Sequence, residues 1–445
     1  MGLTARGPPQ PRAANPIVAR AAGRVFLPPR GRLSFSTIVF IGSLPDRLNV
    51  TCCIAGGGPA GMMLGLLLAR AGVDVLVLEK HKDFLRDFRG DTIHPSTLEL
   101  MYELGILDTF LARPHQELRQ VTGYYNGEPV TLADLTHLPT HCKFVALMPQ
   151  WDFLNFIAEQ ARAYSTFHLQ MEAEVVGLLE QDGRVVGVRV HEANRDVEVR
   201  APLVVGADGR SSVVRERAGL LVEDFGAPMD VLWMRLPRAE QDAAQVLGYF
   251  DNGRIFIMLG RGDYWQCGFV IAKGQFDAMR REPIARLQQL IVGVVPWLKG
   301  RVTSLASWDD VKLLTVRVDR LKEWSRDGLL CIGDAAHAMS PIGGVGINLA
   351  IQDAVATSNL LADCLKSQRC THDDLRRVQA RREWPTKMTQ RLQLAVQNRV
   401  IAPTLADTDS RRKPPLFLNL VKWLPVLRRI PARVLAVGFR PEHIS

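Results

Sequence analysis

The run Gly56-Gly57-Gly58-Pro59-Ala60-Gly61 follows an apolar, strand-like segment, Val50-Thr51-Cys52-Cys53-Ile54-Ala55. After it comes a helix-like segment, Met62 to Ala71, that Gly72 closes. A second apolar run, Val73 to Leu78, ends at Glu79. Strand, glycine turn, helix, strand and an acid roughly 20 residues on make one βαβ nucleotide-binding unit. Gly56 permits the tight turn, Gly58 lets backbone N–H groups approach a pyrophosphate, and Pro59 and Ala60 complete the turn as further cofactor-binding candidates. Gly61 lets that helix pack closely on the strand, and Glu79 can accept from ribose hydroxyls. The alternative is a glycine turn in an ordinary α/β protein.

Two further clusters answer this one downstream. In Val204-Val205-Gly206-Ala207-Asp208-Gly209-Arg210-Ser211, a strand ends in a turn that presents a carboxylate where α/β folds bind ligands. In Leu330-Cys331-Ile332-Gly333-Asp334, an acid again stands just past a strand, placed to accept from a polyol hydroxyl. The glycines of Pro341-Ile342-Gly343-Gly344-Val345-Gly346-Ile347-Asn348 then free backbone N–H groups at the start of a helix, whose positive end stabilises an anion. Lys80, Arg210 and Arg215 could contact phosphate, or be solvated charges at helix ends.

The formal charge of +9 suggests nucleic acid until it is located. Residues 1–50 carry seven Arg and one Asp, and residues 405–445 carry eight Lys or Arg and three Asp or Glu. The remaining 40 basic and 42 acidic residues nearly cancel. The body therefore has no nucleic-acid signature. Seven Cys without a C-x-x-C pair read as small core residues in a reducing compartment, and hence a cytoplasmic protein. Pro139 between His137 and His141 argues against a shared helical face, and no metal site is expected. No uncharged apolar stretch reaches the roughly 18–20 residues of a membrane span.

Residues 1–47, rich in Arg and Pro, read as an extension outside the fold, disordered or an upstream start, with organelle targeting as the alternative. Pro95 starts a helix that stops at Gly105, and Phe153, Phe156, Ile157 and Ala161 mark another. Glu174 to Val205 reads as a β-meander. Strand patterns recur at Val231–Met234, Arg254–Met258 and Gly268–Ile271, alternating less cleanly than a one-faced sheet would. A helix near Ile284–Val294 follows. From Ala350 to about Val400 the pattern is helical, with charged faces at Arg376, Arg377, Arg381 and Arg382. The tail from Pro414 to Arg429 mixes apolar and basic positions. It suits packing over the fold or between subunits, or contact with an anionic membrane surface.

In their order and spacing the three clusters resemble the group A flavoprotein monooxygenases, the p-hydroxybenzoate hydroxylase-like family, over roughly residues 50–400. The resemblance implies an α/β chain: a Rossmann-like FAD-binding domain, an inserted mixed β-sheet substrate domain and C-terminal helices. The FAD-binding domain would span 48–225 and 321–400, with 115–146 able to join the substrate domain at 226–320. A helical tail would occupy 401–445. FAD is the implied cofactor and NAD(P)H a transient co-substrate. By position, Gly56, Gly58, Gly61 and Glu79 would hold ADP, and Arg89 would lie near the pyrophosphate and nicotinamide route. Gln150 would open an FAD-contacting helix, and Asp208 would lie near both FAD and the NAD(P)H path. Asp334 would hold the ribityl chain, and the amides of Gly344, Gly346, Ile347 and Asn348 would face the pyrimidine edge of the flavin.

Val345 departs from the polar residue many relatives carry there. The substrate-side acids and bases of the family find no counterpart, so no catalytic side chain is assigned. His337 is read as a structural hydrogen-bonding group. The implied reaction is hydroxylation of a small apolar, aromatic or polyketide-like compound through a flavin C4a-hydroperoxide, with O2 as partner and a homodimer left open. Rival readings are a same-fold reductase of prenyl chains, a halogenase, weakened by the absence of a W-x-W pair, and an FAD-binding protein without turnover.

Overall fold

The computed structural model describes residues 43–85, 92–125, 127–242, 247–251, 253–406 and 423–445. A six-stranded sheet carries the nucleotide unit. Its strands lie in the order Ser325–Arg326, Leu329–Cys331, Leu203–Gly206, Cys52–Ala55, Val75–Leu78 and Phe167–Gln170. The last five are parallel and the first is an antiparallel edge. The four central strands are buried at every residue, which is why they read as unbroken apolar runs and why Cys52, Cys53 and Cys331 serve there as small core side chains. The Pro59–Arg70 helix lies against this sheet with ten consecutive residues buried. A Cβ at Gly65 would stand 2.8 Å from Val77 Cγ2, so this glycine sets how closely helix and sheet approach.

The meander appears as Ala173–Gln181, Arg184–Glu192 and Arg195–Arg200, and Arg47–Asn49 joins its edge in parallel with Glu198–Arg200. The fold therefore starts earlier than the boundary at residue 47. Leu44 is fully buried and its N–H donates to Glu192 Oε2 at 2.8 Å, while Asp46 pairs with Arg195 at 2.7 Å. Three residues have no strand signal of their own. They become one when an existing edge receives them. Residues 1–42 lie outside the described residues.

A seven-stranded sheet runs Lys312–Leu314, Met229–Pro237, Tyr264–Ala272, Arg254–Arg261, Leu247–Asp251, Gln120–Tyr125, Glu128–Asp134. The last two strands come from the segment 115–146. One face, with Leu232, Met234, Phe256, Trp265 and Phe269, packs against Leu287, Ile291 and Val294 of the Ile284–Val294 helix. On the other face Met229, Val231, Ile255 and Val270 are buried with Val316 and Ile401, and Ile342 packs against that cluster. This second face is only part-buried at Trp233, Phe250 and Ile257, yet apolar side chains lie on both faces, so the strands do not alternate apolar with polar.

The Gly346–Lys366 and His372–Val396 helices pack on each other and on the nucleotide unit. Pro385 lies inside the second. The Arg429–Ala436 helix sits on the fold through Ala432 and Ala436, which are buried against Leu118, Ala133, Leu135, Leu138, Val145 and Leu147. No helix among the described residues is long and apolar enough to cross a membrane.

Candidate cofactor and substrate site

Four adjacent parallel strands end at one edge of the six-stranded sheet, and each delivers a motif there. Gly56 follows Ala55, Glu79 follows Leu78, Asp208 lies two residues past Gly206, and Asp334 lies three past Cys331. The chain leaves Cys52–Ala55 for Val75–Leu78 on one side and returns to Leu203–Gly206 on the other, so this edge holds the crevice where strand order reverses. Space at the turn is tight. A Cβ on Gly56 would lie 2.8 Å from Asp208 Cα, and one on Gly61 would overlap Gly56 O. Gly58 differs: nothing stands within 4 Å of where its Cβ would be, so the turn opens there onto free space.

The Pro59–Arg70 and Gly346–Lys366 helices both begin at this edge. Neither has a side-chain cap or an acid in its first turn, which leaves two uncapped positive helix ends. Glu79 is buried, its Oε2 accepting from Gly57 N at 3.1 Å and its Oε1 from His81 N at 3.1 Å. Asp334 keeps a third of its side chain exposed and lies 3.3 Å from Arg210 Nη2. Asp208 Oδ2 accepts from Val214 N at 3.1 Å, so this acid caps a short helix. Its Oδ1 is buried without a partner among the described residues, and burial pushes its carboxyl above the ordinary range.

Beside the second helix start, Gly343 and Gly344 take φ of 78° and 62°, a region costly for other residues. Thr92 Oγ1 donates to Gly344 O at 2.9 Å. Asn348 is consumed in holding the same turn. Its Nδ2 donates to Thr92 O at 3.1 Å and Gly344 O at 3.3 Å, and its Oδ1 accepts from His94 N and Thr97 Oγ1, both at 2.8 Å. His94 Nδ1 lies 2.7 Å from Leu435 O, and a Cβ on Gly343 would meet Leu435 Cδ2 at 2.6 Å. The C-terminal helix therefore walls the glycine turn.

Buried charges brace the Gly333–Asp334 turn from behind. Asp353 Oδ2 accepts from Gly333 N at 3.1 Å and lies 2.6 Å from His337 Nε2, while its Oδ1 accepts from Arg382 Nε at 3.0 Å. Burial pushes the Asp353 carboxyl up, but His337 and Arg382 outweigh it and hold it below the usual range. Arg382 Nη1 donates to Glu442 Oε1 at 3.3 Å, and Arg381 Nε lies 3.0 Å from the same oxygen. On the other side, Arg215 reaches Arg210 O at 2.5 Å and Ala335 O and Asp319 Oδ1 at 3.4 Å, tying both aspartate turns together.

The structure thus brings Gly56, Gly58, Pro59, Ala60, Gly61, Glu79, Asp208, Asp334, Gly344, Gly346, Ile347 and Asn348 to one edge and its facing turn. Gln150 opens the Gln150–Ala161 helix as expected from sequence. Lys80 lies instead at the surface, 3.8 Å from Glu174. Arg89 lies outside the described residues. Arg382, read in sequence as part of a charged face, is buried, because Asp353 and Glu442 neutralise it inside the fold. Sequence reasoning missed Thr92, His94, Asp353 and Glu442, whose partners lie 16 to 341 positions away in the chain. Cys364, Cys370 and Asp374 form a metal-sized cluster. Asp374 is spent accepting from Thr371 N and Oγ1, and burial raises both thiols, so the group is a poor ligand set.

The donor set fits FAD. Two uncapped helix ends, an open glycine turn, a buried carboxylate acceptor and a part-exposed Asp334 are the groups a dinucleotide with a polyol chain and an anionic ring edge requires. An α/β chain with one such cradle facing a second large sheet is built as a flavin-dependent oxidoreductase. The chain belongs to the FAD binding domain family, whose model matches residues 49–391, and within it to the group A flavoprotein monooxygenases.

Over 393 residues it is 33% identical to 6-methylpretetramide 4-monooxygenase of Streptomyces rimosus, covering 87% of this chain and 93% of that protein. It is 29% identical over 311 residues to a rifampicin monooxygenase of Streptomyces venezuelae, 68% of this chain and 61% of that longer protein. In fold it is similar to the crystal structure of p-nitrophenol 4-monooxygenase from Pseudomonas putida DLL-E4. The TM-score is 0.71 at 21% identity, over 88% of this chain and 100% of the other. The protein is thus an FAD-dependent monooxygenase that uses NAD(P)H.

Proposed function

We propose that this monooxygenase hydroxylates a flat, apolar, multi-ring aromatic or polyketide-like compound held on the inner face of the seven-stranded sheet, residues 226–320 with strands from 115–146 acting as the substrate domain. One cross-strand row carries the reading: Trp233 pairs with Gly268, Gly268 with Ile257, Ile257 with Gly248, and Gly248 with Gly123. Glycine at three of five central positions weakens a sheet unless something lies flat on it. Here the Trp233 ring lies 3.3 Å from where a Cβ of Gly268 would be, and the Phe250 ring 3.5 Å from that of Gly248. The result is a low apolar floor of rings and Ile257. Ile342, one residue before the Gly343–Gly344 turn, packs against the same cluster.

In this reading the amides of Gly58, Ala60 and Gly61 hold pyrophosphate, with Gly56 and Pro59 shaping the turn, and Glu79 holds ribose. Asp334 holds the polyol chain. Arg89 serves the pyrophosphate and nicotinamide route, Gln150 and Asp208 flank the cofactor, and Lys80 remains at the surface. Bound FAD supplies hydride uptake from NAD(P)H and activation of O2. The chain's own part is positional. The amides of Gly344, Gly346, Ile347 and Asn348 stabilise negative charge at the ring edge, and Thr92, His94 and the Asn348 side chain fix those amides in place. Trp233, Ile257 and Phe250 orient a planar ring and keep water away.

Purified holoenzyme, incubated with NAD(P)H, labelled O2 and a panel of one- to four-ring phenols, tests this. The expected result is one labelled oxygen in a multi-ring product and slow peroxide release without substrate. Trp233→Ala should raise KM for such a compound about tenfold and release more peroxide per NAD(P)H, while FAD content stays unchanged. A saturated product that gains no oxygen defeats the reading, as does unchanged kinetics in the Trp233 variant.

A further inference from the structure

One stretch of surface is left unused by the cofactor and substrate site. Trp423, Leu424, Val426 and Ile430 are 82, 48, 59 and 62% exposed. They are a third of the exposed large apolar side chains among the described residues, and they fall within eight consecutive positions. Trapped exposure of this kind marks a contact surface. The helix that ends the stretch cannot turn its apolar side inward, because Ala432 and Ala436 already occupy the buried side. That leaves Arg429, Ile430 and Arg433 facing out. Among the described residues, Arg429 Nη2 has His137 Nε2 beside it at 3.4 Å.

We propose that Trp423 to Arg433 seats the enzyme on the surface of an anionic lipid bilayer. Charge decides between occupants. Positions 423–433 contain no acid, and Arg429 and Arg433 face out from them, within a tail of net charge +5. A two-fold contact with a second copy would set those arginines against each other. An anionic headgroup layer neutralises them, and the apolar side chains enter the boundary beneath it, with Trp423 of the type that favours that depth. The segment lies across the surface and does not span. The same helix carries Leu435, whose carbonyl holds His94 and whose side chain covers Gly343. Seating there brings the monooxygenase site next to a reservoir of apolar compounds.

Co-sedimentation of FAD-loaded, full-length protein with vesicles tests this. Vesicles of phosphatidylcholine alone and with about 30% phosphatidylglycerol are compared at low and high salt. The expected result is binding to the anionic vesicles at least tenfold tighter than to neutral ones, lost at high salt. Trp423→Ser, Leu424→Ser, Val426→Ser and Ile430→Ser together should reduce binding at least tenfold. Arg429→Ala with Arg433→Ala should reduce it roughly thirtyfold, at about 1 kcal/mol per arginine. Both variants should keep the flavin spectrum and melting temperature of the parent. The proposal is overturned if the parent ignores anionic vesicles, if it binds neutral ones equally, or if neither variant changes binding. A parent dimer that the serine variant dissociates also overturns it, by giving the surface to a second copy.

Discussion

Asp353→Asn removes one charge at constant shape from the buried brace behind the Gly333–Asp334 turn. Three donors converge on this carboxylate: Gly333 N at 3.1 Å, His337 Nε2 at 2.6 Å and Arg382 Nε at 3.0 Å. An amide offers one acceptor oxygen and turns its NH2 toward a donor. If the oxygen keeps Arg382, the NH2 faces Gly333 N–H and His337. The Gly333 N–H and the His337 Nε2 that met a carboxylate oxygen then meet an NH2 instead. Either arrangement loses a charge-assisted hydrogen bond, about 1.5–3 kcal/mol, and strands a buried donor, about 1–3 kcal/mol. Arg382 keeps Glu442, so the full cost of an unpaired buried cation does not apply. The net loss is about 3–5 kcal/mol. At an unfolding entropy of roughly 2 cal/mol/K per residue, that lowers the melting temperature of the apoprotein by about 3–5 °C. Freed of its anchor, the turn that carries Asp334 should also bind FAD at least tenfold more weakly, read by flavin fluorescence titration. A variant that melts within a degree of the parent and retains FAD refutes the brace.

Asp334→Ala, which removes the exposed acceptor without touching the brace, should lose FAD with little change in apoprotein melting. Gly61→Ala should lose it too, because its Cβ overlaps Gly56 O; full flavin occupancy after purification of either variant would remove that residue from the site. Burial lowers the His94 pKa to about 4. Its contribution to stability is complete above the unfolded value near 6.5 and falls away as pH drops toward 4, by roughly 3 kcal/mol. His94→Gln should flatten that slope in urea titrations between pH 7 and 4, and an unchanged slope counts against it. Deleting residues 1–42 should leave the melting temperature within about two degrees. Deleting through Asn49 should lower it clearly, since Leu44 and the Arg47–Asn49 pairing go as well.

The sequence alone determined the parts whose signal is local. A glycine turn between strand and helix is plain at Gly56–Gly61, and the acid at Glu79 falls one strand later. Aspartates just past apolar runs, at Asp208 and Asp334, could be placed at strand ends before any fold was known. The family resemblance rests on the order of these clusters, and the order survives in one dimension.

Tertiary structure decided whatever depends on partners distant in the chain. It turned Asp208 into a helix cap as well as a crevice acid, and spent the Asn348 side chain on Thr92, His94 and Gly344. It buried Arg382 by bringing Asp353 and Glu442 to it across 29 and 60 residues. It set Trp233, Gly268, Ile257, Gly248 and Gly123 in one row, although no two adjacent members of that row are closer than 9 positions in sequence. It also made a strand of Arg47–Asn49 and a pocket wall of Leu435. A residue type and its neighbours report backbone preference and burial, which are local. Which donor meets which acid is fixed only when sheets and helices pack, because the same arginine is a solvated charge on one helix face and a buried brace on another.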